Sequence, residues 1–111
     1  MAAETDAVGS FEEQVLVGIL RTGNEAYGMA VRRELEAVGG REVAIGAVYA
    51  TLDRLEAKGL IASARVPGDG GSRRVFALTA AGTRALVETR TVRDRLWQGV
   101  DLRLLAAKGR A

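Results

Sequence analysis

Along residues 11–58 the apolar positions recur at intervals of three and four, and beyond Gly59 they begin to alternate. The first period predicts helices and the second predicts strands. Ser10 followed by Glu13 reads as a capping box opening a helix over 11–21. Phe11, Val15, Leu16, Val17, Ile19 and Leu20 make that helix apolar around more than one face. Such a helix needs cover on two sides, part of it expected from a second subunit. Gly23-Asn24 stops it, and a second helix runs from 26 or 27 to 38 on Tyr27, Ala30, Val31, Leu35 and Val38, ending at Gly39-Gly40. A third helix over 45–58 carries the stripe Ile45, Val48, Leu52 and Leu55, with Gly59 as its stop.

Two β-prone runs, 60–66 and 74–78, flank Pro67-Gly68-Asp69-Gly70-Gly71-Ser72 and predict a hairpin. Thr79 is a good cap for a last helix over 80–98 that resumes after Gly99. Ala85, Leu86, Thr89, Val92, Leu96, Trp97, Val100 and Leu104 give this segment a stripe of coiled-coil type. The small, acidic residues 1–9 show no period and predict a flexible tail. The expected fold is mainly α (α+β): a winged helix-turn-helix over 10–79 with a two-stranded wing, then a C-terminal dimerisation helix over 80–111.

Composition narrows the chemistry. With 111 residues the chain holds one domain, and it has no cysteine and no histidine. Thiol chemistry, structural zinc and imidazole catalysis are therefore excluded. No acid/base pair is evident, and the glycines at 68–71 lack the Lys and following helix of a phosphate loop. The expectation is no enzyme, no catalytic residue, no metal and no cofactor. No apolar run approaches the ~20 residues that span a bilayer, and acids stand where a signal peptide carries bases, so a cytoplasmic protein without membrane contact is expected.

The net charge of +2 becomes informative when divided. Residues 1–13 contain Glu4, Asp6, Glu12 and Glu13 and no base, so all 16 bases fall on the rest of the chain against the other 10 acids. Fourteen of those bases are Arg, whose planar fork suits phosphate. A basic three-helix unit followed by a hairpin places its third helix in a DNA major groove and its wing on the flanking backbone. On that helix Gly46, Ala50, Asp53 and Ala57 lie opposite the core, and Ala47, Thr51, Arg54 and Lys58 form one flank. Small residues at its N-terminal end let it sit deep in a groove. Tyr49 on the other flank either reaches DNA or packs half-buried. Arg54 and Lys58 either meet phosphate or form a solvated face. Of the adjacent wing residues Arg73 and Arg74, a regular strand turns at most one towards DNA.

Three separately spaced runs resemble the PadR family of bacterial transcriptional regulators. They are Leu20 to Gly28 with Asn24-Glu25-Ala26-Tyr27-Gly28, then Gly46 to Ile61, then Leu78-Thr79-Ala80-Ala81-Gly82. The resemblance covers about residues 11–90. It implies a homodimeric repressor of a palindromic operator, released by a small molecule, and it sets Tyr27, Gly46, Ala47, Tyr49, Arg73 and Arg74 where the family contacts DNA. The short end after Gly82 resembles the compact branch, with one C-terminal helix. Ala44 departs from the capping Ser that the family often has, and Ala50 from a larger residue.

The expected partners are thus a double-stranded DNA operator, a second copy of the chain and a small hydrophobic or aromatic effector. The residues expected at the dimer interface or its ligand pocket are Phe11, Val15, Ile19, Leu86, Val92, Leu96, Trp97 and Val100. Trp97 either packs the interface or stacks on a planar ligand. The competing reading is a winged-helix adaptor that binds an acidic protein.

Overall fold

Glu12 explains where the first helix begins. In a computed structural model, which describes residues 8–68 and 70–110 and all their side chains but those of 108–110, the Gly9 N–H donates to Glu12 Oε1 at 3.0 Å. Helix α1 accordingly spans Ser10–Thr22 with Gly9 as its N-cap. The cap expected at Ser10 with Glu13 is thus displaced by one residue, because Glu12 faces inward where Lys58 awaits it. Residues 1–7 of the expected tail lie outside the described residues. Val8 and Gly9 do not behave as tail: Val8 packs against the core and Gly9 caps.

A short 3-10 turn, Gly23–Glu25, leads to helix α2, Gly28–Gly39. Its end is set by Gly40, which takes a left-handed φ of 70° while its N–H donates to the Glu36 carbonyl at 2.8 Å. The link to helix α3, Ile45–Ala57, is tied from α2. Glu36 Oε2 accepts from the Val43 N–H at 2.9 Å, and Arg32 Nε donates to the Val43 carbonyl at 2.7 Å. Those bonds hold α3 at a fixed distance from α2 although Ala44, its N-cap, has no side chain to cap with.

Strands β1, Ile61–Gly68, and β2, Gly71–Leu78, pair antiparallel from Ile61↔Leu78 to Gly68↔Gly71. They extend beyond the 60–66 and 74–78 expected, since pairing runs through Pro67↔Ser72 to Gly68↔Gly71. Gly70, just before β2, has a left-handed φ of 77°, a conformation that glycine adopts freely. The extended residues before α2 add a third, short edge: Tyr27 bridges Val75, and the Phe76 N–H donates to the Ala26 carbonyl at 2.9 Å.

Helix α4, Ala80–Trp97, docks on the base of the wing. Thr79 Oγ1 donates to the Gly59 carbonyl at 2.7 Å and accepts from the Gly82 N–H at 3.0 Å. The approach is so close that a Cβ on Gly82 would collide with the Leu60 carbonyl oxygen. The break around Gly99, where φ is 81°, separates α4 from helix α5, Leu102–Arg110. The C-terminal region is therefore two helices.

The core gathers Val15, Leu16 and Ile19 of α1, Val31 of α2, Val48, Leu52 and Leu55 of α3, and Leu60, Ile61 and Phe76 of the wing base. The architecture is a mainly α winged helix-turn-helix with a two-stranded wing. Val15 and Ile19, expected to face a second subunit, are 0% and 2% exposed inside this core. Apolarity alone does not tell a core position from an interface position. Phe11 and Leu86 are half-buried and lean on the same core. Among the described residues no helix is long and apolar enough to cross a membrane.

Candidate nucleic-acid interface

Helix α3 turns Val48, Thr51, Leu52 and Leu55 inward. Thr51 was expected on a flank, but it is buried, its Oγ1 accepting from Arg54 Nη2 at 3.1 Å. Gly46, Ala47, Tyr49, Ala50 and Asp53 are exposed, so the N-terminal half offers solvent a surface that is small apart from Tyr49. The Tyr49 ring lies over Gly28, the first residue of α2, and 42% of the residue remains accessible. It is thus both a packing residue and an exposed one.

Next to Gly28, Tyr27 stands between α2 and the wing. Its hydroxyl accepts from Arg33 Nη2 at 2.8 Å, and the Arg73 guanidinium lies over its ring, 4.4 Å from the centroid. A continuous path of contacts therefore runs from α3 through Tyr49, Gly28 and Tyr27 to Arg73 on the wing. Arg73 makes no ion pair among the described residues, and neither does Arg33.

Arg74 points to the other face of the hairpin, as strand alternation requires. It lies 4.9 Å over the Phe76 ring, donates to Ser63 Oγ at 3.1 Å, and pairs with Glu56 and with Asp53 at 3.4 Å. The Ser63 hydroxyl, the largest cause, together with Arg74 holds the Glu56 carboxyl below the usual carboxylate range, although burial pushes it up. Arg74 thus fastens the wing to α3.

Lys58 and Arg54 are likewise engaged inside the subunit. Lys58 Nζ donates to both oxygens of Glu12, at 3.1 and 2.9 Å, and Arg54 Nε lies 3.8 Å from the same carboxylate. Burial pushes the Glu12 carboxyl up, but the Gly9 N–H, Lys58 and Arg54 outweigh it and hold its pKa below the usual range. Of the expected DNA-facing set, Gly46, Ala47, Tyr49, Ala50 and Arg73 are exposed, and Tyr27 is half-buried beneath Arg73, one residue before the glycine that Tyr49 covers. The structure gives Arg54, Lys58 and Arg74 carboxylate partners. Arg33 was missed, because it reads as an ordinary polar position of α2 until Tyr27 is seen beside it.

The far end of the molecule differs in character. From Val92 onward α4 leaves the core, and Val92, Leu96, Trp97 and Val100 are exposed, as are Leu102, Leu104 and Leu105 of α5. A cleft of about 430 Å³ between α1 and α2 adds Val17 and Val38 to the open apolar surface.

The sequence profile of the family Transcriptional regulator PadR-like matches residues 16–88, from α1 to the middle of α4. Transcriptional regulator Rv3488 of Mycobacterium tuberculosis (strain ATCC 25618 / H37Rv) is 44% identical over 73 residues, covering 66% of this chain and 67% of that protein. A PadR family transcriptional regulator from Eggerthella lenta DSM 2243 superposes with a TM-score of 0.66 at 30% identity, over 82% of this chain and 80% of its own. RosR of H. salinarum does so with a TM-score of 0.68 at 26% identity, over 92% and 88%. The matched stretch contains the helix-turn-helix, the whole wing and the docked start of α4, and the chain belongs to the PadR-like family of transcriptional regulators, as a regulator and not an enzyme.

Proposed function

We propose that this regulator is a sequence-specific repressor that binds a palindromic DNA operator as a homodimer in the cytoplasm and is released by a small hydrophobic or aromatic effector. The observation that carries the reading is the path of contacts from α3 through Tyr49, Gly28 and Tyr27 to Arg73 of the wing, which has no ion-pair partner among the described residues. Ala47, Gly46 and Ala50 let α3 approach base edges, Tyr49 reads them, and Arg73 meets the backbone beside the groove. In this reading residues 10–79 form the DNA-binding unit, and α4 with α5 joins two copies, setting two α3 helices roughly 34 Å apart on successive major-groove faces. The exposed stripe of Val92, Leu96, Trp97 and Val100 supports that role, and Trp97 offers a planar effector a stacking face.

Fluorescence anisotropy tests the reading by comparing the DNA upstream of the protein's own gene with a random duplex of equal length. Tighter binding to the upstream DNA, falling linearly in log salt, is expected. Equal affinity for the two duplexes would sink the specific repressor, and salt-insensitive binding would favour a protein-binding adaptor.

A further inference from the structure

We propose that Arg33, Tyr27 and Arg73 form a clamp for a backbone phosphate of DNA, in which Arg33 is a contact residue that the motifs do not reveal. The inference rests on the DNA-binding reading above and adds a site to it.

Two cations converge on one tyrosine. The Arg33 guanidinium lies 5.7 Å from the ring centroid and donates to the hydroxyl at 2.8 Å, while Arg73 lies 4.4 Å from the same centroid. Cation–π attraction holds each beside the ring, where two like charges without a counter-charge repel each other. Arg21, Arg32, Arg74 and Arg93 each have a carboxylate partner, whereas neither Arg33 nor Arg73 has one among the described residues. Glu34 lines the hollow beside Tyr27 but is taken by Arg21 at 2.5 Å, and Glu25 lines it without pairing to either arginine. Among the described residues the positive charge around Tyr27 is therefore open to an anion.

The chemistry of the three groups defines that anion. With Arg33 donating to its oxygen, the Tyr27 hydroxyl keeps its own proton to donate. Beside it the Arg33 fork retains further N–H donors, and Arg73 supplies a second charge. A hydroxyl and guanidinium N–H groups gathered about one tyrosine match the oxygens of a phosphodiester. The place matches too. Gly28, the next residue, supports Tyr49 of α3, and Val75 of the wing bridges Tyr27, so the cluster lies between the two elements that a duplex would touch. The first helix of a helix-turn-helix crosses the DNA backbone, and Arg33 sits on that helix, α2.

The test titrates the full-length protein against a labelled random-sequence duplex over a range of salt, which needs no knowledge of the operator. Arg33→Gln is expected to weaken binding about three- to tenfold and to make the log–log salt slope shallower by about 0.9, one phosphate contact. Tyr27→Phe keeps the ring under Arg73 but removes the hydroxyl, and is expected to weaken binding in the same direction. Because the two groups serve one site, the double variant should lose less than the two single losses added together. Unchanged thermal unfolding of each variant shows that the fold is intact. An unchanged affinity and slope for Arg33→Gln, or a loss of affinity with an unchanged slope, would overturn the clamp while leaving the repressor reading standing. A wild-type protein that bound no duplex at low salt would overturn both.

Discussion

The Tyr49 ring rests so closely on Gly28 that a Cβ added there would lie 2.5 Å from ring atoms Cε1 and Cζ. Only a residue without a side chain leaves room for the exposed tyrosine of α3 to lie across the start of α2, and its direction is set by that contact. Gly28 has no positive φ, so its backbone suits alanine and the obstacle is Tyr49 alone. Gly28→Ala is expected to destabilise the protein by about 1–3 kcal/mol through overpacking and to weaken selective DNA binding. In a Tyr49→Ala background the same change should become neutral or stabilising, because alanine suits a helix better than glycine. Urea unfolding of the four proteins checks this, and additive effects would rule out the contact as the reason for the glycine.

Glu12 ties the start of α1 to the end of α3 through Lys58, 46 positions away, and through Arg54. Its folded pKa lies below the ordinary 4.5, so its contribution to stability is fully present above about pH 4.5 and is lost as the pH falls through the folded value. Glu12→Gln should lower stability at pH 7 by about 1–2 kcal/mol, a modest amount because Lys58 and Arg54 rehydrate once released. The variant should also lose less stability than the wild type between pH 5 and pH 3. Parallel pH profiles for the two proteins would show that the carboxylate does not contribute in this way.

What the sequence discloses and what it withholds divide along locality. The stripe Val48, Leu52, Leu55 of α3 and the Thr79 cap are each written within a few residues and stand where the pattern puts them, and the hairpin is present with strands longer than the pattern gives. The Gly9 cap was hidden because glycine carries no capping side chain and because Glu12 and Glu13 compete for the same part. Which of the two turns inward is decided by Lys58, far along the chain. The fates of Arg73 and Arg74 were half legible: alternation separates them, but only Glu56 and Asp53 on another element explain why Arg74 is the one consumed. Arg33 gains its interest solely from Tyr27, whose own position depends on the bridge to Val75.

That division of the arginine pair is measurable. Arg73→Ala should weaken binding to all DNA sequences and flatten the salt slope, with little change in stability, since the side chain has no ion pair among the described residues. Arg74→Ala should do the opposite. It removes the bonds to Ser63, Glu56 and Asp53 and the stack on Phe76, so it is expected to destabilise the fold by about 1–2 kcal/mol while leaving the salt slope nearly unchanged. Guanidinium unfolding and salt titrations of both variants decide the matter. A flattened slope for Arg74→Ala would place that residue on the DNA instead.

The exposed end of α4 carries the last prediction. Leu96 and Trp97 are 73% and 51% exposed in the single chain, with Val92 and Val100 beside them and Leu102, Leu104 and Leu105 just beyond. In the homodimer proposed above, these exposed apolar residues at the end of α4 and beyond it are the expected interface. Two copies packed through it would bury Leu96 and Trp97 against their counterparts, and stability would then rise with protein concentration. Light scattering is expected to show a dimer at micromolar concentration, with a melting temperature that increases on tenfold concentration. Leu96→Glu should yield a monomer, because a charge at the centre of the interface loses its water without gaining a partner. That monomer should bind DNA far more weakly than the parent, since each copy then holds a half-site alone, although its own core, built on Val15, Leu16 and Leu52, is untouched. A monomeric wild type, or a Leu96→Glu variant that stayed dimeric, would remove α4 from the interface.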